Sequence, residues 1–154
     1  MSYIQNPTSL NRVFKKEIIV TSTSDKQDLT TNYDVVNGSL ITYVPSNNWG
    51  DKVAYEFNTT WSYKDSTSKI IFKLVEYNTG TSSWDDISGS FVTIKSLKQG
   101  TDNISYKYVF DKWSGSKQLR LECKDTSSSL EGYLHSNYDQ DQFYNPIVTC
   151  STIY

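Results

Sequence analysis

The chain has 154 residues, with 15 Lys+Arg against 17 Asp+Glu and a net charge of −2. That is enough for one ordinary domain, and it offers no basic excess for nucleic acid. Aromatic residues make up 14%, twelve of them Tyr, and the single Ala is Ala54. This mix disfavours helices and suits strands joined by hydroxyl-rich turns, and no run approaches the ~18 apolar residues of a membrane-spanning helix.

The first 16 residues, MSYIQNPTSLNRVFKK, lack clean alternation and hold Pro7. They read as an arm outside the folded part, and they lack the continuous apolar core of a secretory signal. The arm reads either as a disordered leader or as a segment that orders on a partner surface, with Tyr3, Ile4, Leu10, Val13 and Phe14 as its apolar anchors. We draw the arm over 1–20 and the domain over 21–154. EIIVTST (17–23), DLTTNYDV (28–35) and SLITYVP (39–45) read as short strands.

Alternation with period two then recurs, which is the pattern of half-buried strands. In VAYEFNTTWSY (53–63) one face carries Val53, Tyr55, Phe57, Trp61 and Tyr63, and the other Ala54, Glu56, Asn58, Thr60 and Ser62. KIIFKLVEY (69–77), SFVTIKSL (90–97) and NISYKYVFD (103–111) follow. KQLRLECKD (117–125) alternates most cleanly, with Leu119, Leu121 and Cys123 inward, and LEGYLH (130–135) and IVTCSTIY (147–154) close the series. Turn signals separate these runs: NGS, SNNWGD, KDSTS, NTGTSSWDD, KQGTD, WSGS and KDTSSS. Eight to ten short strands at this spacing imply an all-β antiparallel sandwich or barrel.

Candidate chemistry concentrates in GYLHSNYDQDQFYNP (132–146), around the single histidine. His135, Asp139 and Asp141 would give mixed N/O metal ligands, but no second histidine joins them. No nucleophile elbow accompanies the histidine, and DQDQ lacks the Gly and late Glu of a calcium loop. We therefore read His135 as a strand-end residue beside a polar loop, and expect no catalytic residue, metal or cofactor. Asp85–Asp86 is poor evidence for a two-carboxylate glycosidase. Cys123 and Cys150 lie inside alternating runs and read as a reduced, buried pair. The N-x-S/T matches at Asn37, Asn58 and Asn103 read as chance in a Ser/Thr-rich chain. Trp61 reads as core. Trp49, Trp84 and Trp113 fall in expected loops; with Tyr138 they are candidates for stacking on glycans or for packing in a subunit interface.

WSGSKQLRL (113–121), followed by LEGYLHSNYDQDQFYNPIVTCSTIY (130–154), resembles a pattern shared by small virion proteins of tailed phages, especially marine ones. The matching positions are Trp113, Ser114, Gly115, Ser116, Lys117, Leu119, Leu121, Leu134, His135, Tyr138, Phe143, Pro146 and Ile153. DKQDLTTNYDVVNGSLITYVP (25–45) resembles the opening of that pattern, and VAYEFNTTW (53–61) and IIFKLVEYNT (70–79) resemble its middle strands. The resemblance covers roughly residues 21–154. It departs at Asp139-Gln140-Asp141, where the pattern has Asp-Gly, and at TGTSSWDDISGS (79–90), which has no counterpart.

The resemblance implies a jelly-roll similar to tumour-necrosis-factor-like domains, forming a homotrimer on the virion surface, and no catalytic residues carry over from it. The expected role is a capsid decoration or head-fibre-type protein, with the arm holding the major capsid or another virion protein. The alternative is a tail-fibre adhesin that binds host surface glycans through its loop aromatics. A surplus of Tyr and Trp beyond the needs of one core would be covered by sister copies.

Overall fold

A computed structural model of the protein describes residues 14–19, 26–63, 69–95, 100–126, 132–135 and 146–154. The strands, in chain order, are β1 (Phe14–Ile19), β2 (Lys26–Asp28), β3 (Asp34–Val35), β4 (Ile41–Tyr43), β5 (Lys52–Tyr63), β6 (Lys69–Asn78), β7 (Ser83–Asp86), β8 (Val92–Lys95), β9 (Gly100–Asp111), β10 (Lys117–Asp125), β11 (Tyr133–His135) and β12 (Ile147–Ile153).

They make two antiparallel sheets. In the first, β5 pairs with β9 along its whole length on one side and with β12 and β11 end to end on the other. Beyond these lie β1, on β12, and β2, on β11. In the second sheet β6 and β10 are central; β7 and β8 flank β6, and β3 and β4 flank β10. The chain crosses from sheet to sheet at β2–β3, β4–β5, β5–β6, β8–β9, β9–β10 and β10–β11, which is the winding of a jelly-roll sandwich.

The inward row of each long strand fills the space between the sheets, because successive side chains point to opposite faces. Val53, Tyr55, Phe57 and Trp61 of β5 meet Ile70, Phe72 and Leu74 of β6 and Leu119, Leu121 and Cys123 of β10; Val148 and Cys150 of β12 close the same core. Tyrosine is usable there because its hydroxyl reaches polar atoms at the rim. Tyr55 donates to the Ser39 carbonyl at 2.6 Å, Tyr106 donates to the Ser90 carbonyl at 2.6 Å, and Tyr43 bonds Thr152 Oγ1 at 2.6 Å. At Gly50 φ is +73° and an added Cβ would lie 2.6 Å from the Ile153 carbonyl oxygen, so the entry into β5 requires glycine.

Several expectations are corrected. DLTTNYDV is not one strand: Lys26–Asp28 joins the first sheet and Asp34–Val35 the second. The turn between them is stabilised by Thr30, whose hydroxyl accepts from Asn32 N and donates to Asp34 Oδ2. Trp84 sits not in a loop but on β7, in a hairpin with β6. The arm drawn over 1–20 overlaps the sheet, since Phe14–Ile19 pairs antiparallel with β12 from Thr152 to Ile147. Tyr3, Ile4, Leu10 and Val13 lie outside the described residues, as do Tyr138, Asp139 and Asp141.

Candidate functional site

The outer face of the first sheet carries the second, polar row of β5. Direct cross-strand partners share a face, so Asn58, Thr60 and Ser62 lie beside Ser105, Asn103 and Thr101 of β9. Thr60 Oγ1 donates to Asn103 Oδ1 at 3.1 Å, and the Ser62 and Thr101 hydroxyls bond at 2.7 Å. On the other side of β5, Tyr133 of β11 pairs with Ser62, which brings His135 onto the same face. His135 Nε2 lies 2.6 Å from Ser62 Oγ, and Thr59 Oγ1 donates to the His135 carbonyl at 3.1 Å. Burial holds the imidazole below its ordinary pKa of 6.5, so the neutral form prevails at neutral pH.

A hydroxyl bonded to a neutral imidazole is the pairing of an activated nucleophile. Here, however, Ser62 is 7% exposed and His135 5%, and Thr101 also bonds the serine oxygen. The three side chains tie β5, β9 and β11 together across the sheet. A groove of about 320 Å³ runs alongside, lined by Asn58, Thr60, Asn103, Ser105 and Ile147 among others. Among the described residues no group of three or more His, Cys, Asp or Glu is placed to hold a metal. Cys123 and Cys150 are free and buried, one in each sheet, and burial raises both thiols to about 12.

The three candidate tryptophans have separate neighbours. Trp113 packs against the rim of the core, edge-on to Tyr43 at 6.2 Å and Phe110 at 5.4 Å, with Lys117 Nζ 5.2 Å from its ring. Trp49 stands edge-on to Tyr154 at 4.7 Å, and its carbonyl accepts from Lys112 Nζ at 3.4 Å. Trp84 leans on Tyr77 at 5.3 Å, and the Arg120 guanidinium lies 4.0 Å over its ring.

That stack opens onto the outer face of the second sheet, where charges and rings alternate. Arg120 bonds Glu122 at 2.8 Å; Lys73 lies 2.7 Å from Asp86 and 3.4 Å from Glu122. Lys73 and Lys124 both sit over the Tyr33 ring, at 4.4 and 4.7 Å. Arg120 and Glu122 share the outward face of β10 by alternation alone. The Lys73 pairs and the Arg120–Trp84 stack depend on the register between β6, β7 and β10, and the Tyr33 contacts on the turn before β3, none of which a local pattern encodes. The expected surplus of surface rings is mostly absorbed: Tyr43, Tyr55, Trp61, Tyr63 and Tyr106 are buried, whereas the strongly exposed rings among the described residues are Phe91 and Tyr154.

No protein-family model and no curated protein matches the chain. Among solved structures it is similar to the globular domain of zebrafish complement 1qA protein, with a TM-score of 0.44, 12% sequence identity, and coverage of 91% of this chain and 97% of that one.

Proposed function

We propose that this protein is a structural component of a virion, a homotrimeric capsid decoration or head-fibre-type module on the particle surface that acts by binding. The sequence resemblance over residues 21–154 supports this reading. The observation that carries it is the seating of the N-terminal segment: Phe14–Ile19 is paired along β12 at the edge of the first sheet. A short segment fixed to such an edge suits the arm of an attachment protein. Tyr3, Ile4, Leu10 and Val13 would be its anchors in the major capsid or another virion protein. Three copies would convert three weak arm contacts into avidity.

The test removes residues 1–13 and leaves β1 intact. The expected result is loss of particle binding, while the light-scattering mass in solution stays at three times that of one shortened chain, as the intact protein should show three times 17.7 kDa. Undiminished particle binding would overturn the arm, and a single-chain mass for the intact protein at micromolar concentration would overturn the trimer.

A further inference from the structure

Register places four side chains in one lateral row across the outer face of the second sheet. Thr42 of β4 pairs with Gln118 of β10, and Tyr77 of β6 pairs with Trp84 of β7. Because Leu119 pairs with Glu76, the next position along brings Gln118 beside Tyr77. Over this row lies a groove of about 250 Å³, lined by Thr42, Tyr77, Thr79, Ser116 and Gln118. We propose that this groove binds one ring of a neutral saccharide.

The lining is one aromatic ring, three hydroxyls and one carboxamide. The C–H face of a sugar ring packs on the electron-rich face of an aromatic side chain. Its hydroxyls both donate and accept, and are matched by groups that do the same, such as Thr, Ser and the Gln amide. The volume is below the usual range for drug-sized ligands, which suits a single ring. Charge argues for a neutral ligand: among the described residues no charged side chain lines the groove, and Lys117 and Arg120, on the same strand as Gln118, already have carboxylate partners. Lys117 lies 2.6 Å from Glu76, and Arg120 2.8 Å from Glu122.

The site is also preorganised. Tyr77 is buttressed by Trp84, and Trp84 is held by Arg120. The turn carrying Thr79 is tied by Asn78 Oδ1, which accepts from Gly80 N at 2.9 Å and Thr81 N at 3.3 Å. Trp84 is therefore a buttress rather than the platform, and Tyr77 is the platform. The proposal does not depend on the virion reading.

Methyl glycosides of glucose, galactose, mannose and N-acetylglucosamine, titrated into the isotopically labelled protein and followed by NMR, test it. At least one should saturate with a dissociation constant on the order of millimolar, with shifts centred on Tyr77 and the Gln118 side-chain amide. Tyr77→Ala should weaken binding about tenfold. Ser116→Phe, on an exposed turn, should block the groove while strand amide shifts away from the groove stay unchanged, which keeps the test valid if Tyr77→Ala fails to fold. Trp49→Ala should bind as the parent does. The proposal is overturned if none of the four glycosides moves these signals, if Ser116→Phe binds as tightly as the parent, or if only anionic sugars such as methyl glucuronide bind.

Discussion

At Gly132 the chain enters β11 between two fully buried side chains. An added Cβ would lie 2.9 Å from Asp125 Oδ2 and 3.0 Å from Trp61 Nε1, and both residues are at 0% exposure, so neither has room to retreat. Gly132→Ala should therefore lower stability by about 1–3 kcal/mol, the usual penalty for overpacking. An unchanged urea midpoint would show that the sandwich yields there. Three residues on, His135 sets a pH dependence. Its folded pKa is depressed by burial, so the folded state binds fewer protons than the unfolded chain. The stability it contributes is complete above the ordinary value of 6.5 and is lost as the pH falls through the depressed folded value. The parent should thus lose urea resistance between neutral and mildly acid pH. His135→Asn, which cannot titrate, should lose less over that interval; parallel losses would assign the pH effect to other groups.

Among the elements, β5, β6, β9, β10 and β12 were legible because each buries one face, and alternation records that directly. β10 is the clearest case: Leu119, Leu121 and Cys123 are buried while Gln118, Arg120, Glu122 and Lys124 face outward. The second half of β5 is harder, because Thr60 and Ser62 are as inaccessible as Trp61 and Tyr63; the pattern suggests one wet face where the fold provides none. The candidate sites were less legible still. The Ser62–His135 contact spans 73 positions, and the Tyr77 groove joins three hydrogen-bonded strands and two turns. Both depend on pairings that no local pattern encodes. The expected strand EIIVTST (17–23) overlaps β1, which starts earlier, at Phe14. FKKE carries a single apolar residue, so alternation does not mark where the strand begins, and the pairing covers the side of β12 that β5 leaves open. That gives a prediction. Removing residues 1–13 should leave the urea midpoint unchanged. Removing 1–19 should bare the side of β12 that β1 covers while leaving its pairing with β5. This should cost about 3–9 kcal/mol for roughly six ladder hydrogen bonds at about 0.5–1.5 kcal/mol net each, and should promote aggregation through the bared edge. Equal midpoints for the two truncations would mean that β1 contributes nothing to the sandwich.

At the scale of the whole molecule the question is whether two sheets sharing one core open together. The chain carries its own probes. Cys150 faces the core from the first sheet and Cys123 from the second, both buried and free. Burial raises each thiol to about 12, so the native protein at neutral pH offers almost no thiolate to an alkylating agent. Modification must then wait for an opening that exposes the sulfur, and its rate reports the free energy of that opening. The chain crosses between sheets six times, and rings from both meet in one cluster: Tyr55 and Tyr106 of the first sheet, with Phe72 of the second 6.4 Å from Tyr106. Neither sheet can leave without exposing the inward row of the other. We expect Cys123 and Cys150 to be alkylated by iodoacetamide at rates within about threefold of each other in the native protein. Both rates should rise in parallel with urea, along the slope of global unfolding. Much faster labelling of Cys150 with a shallow urea dependence would mean that β12 and its edge strand peel away locally, and that the sandwich is two cooperative units rather than one.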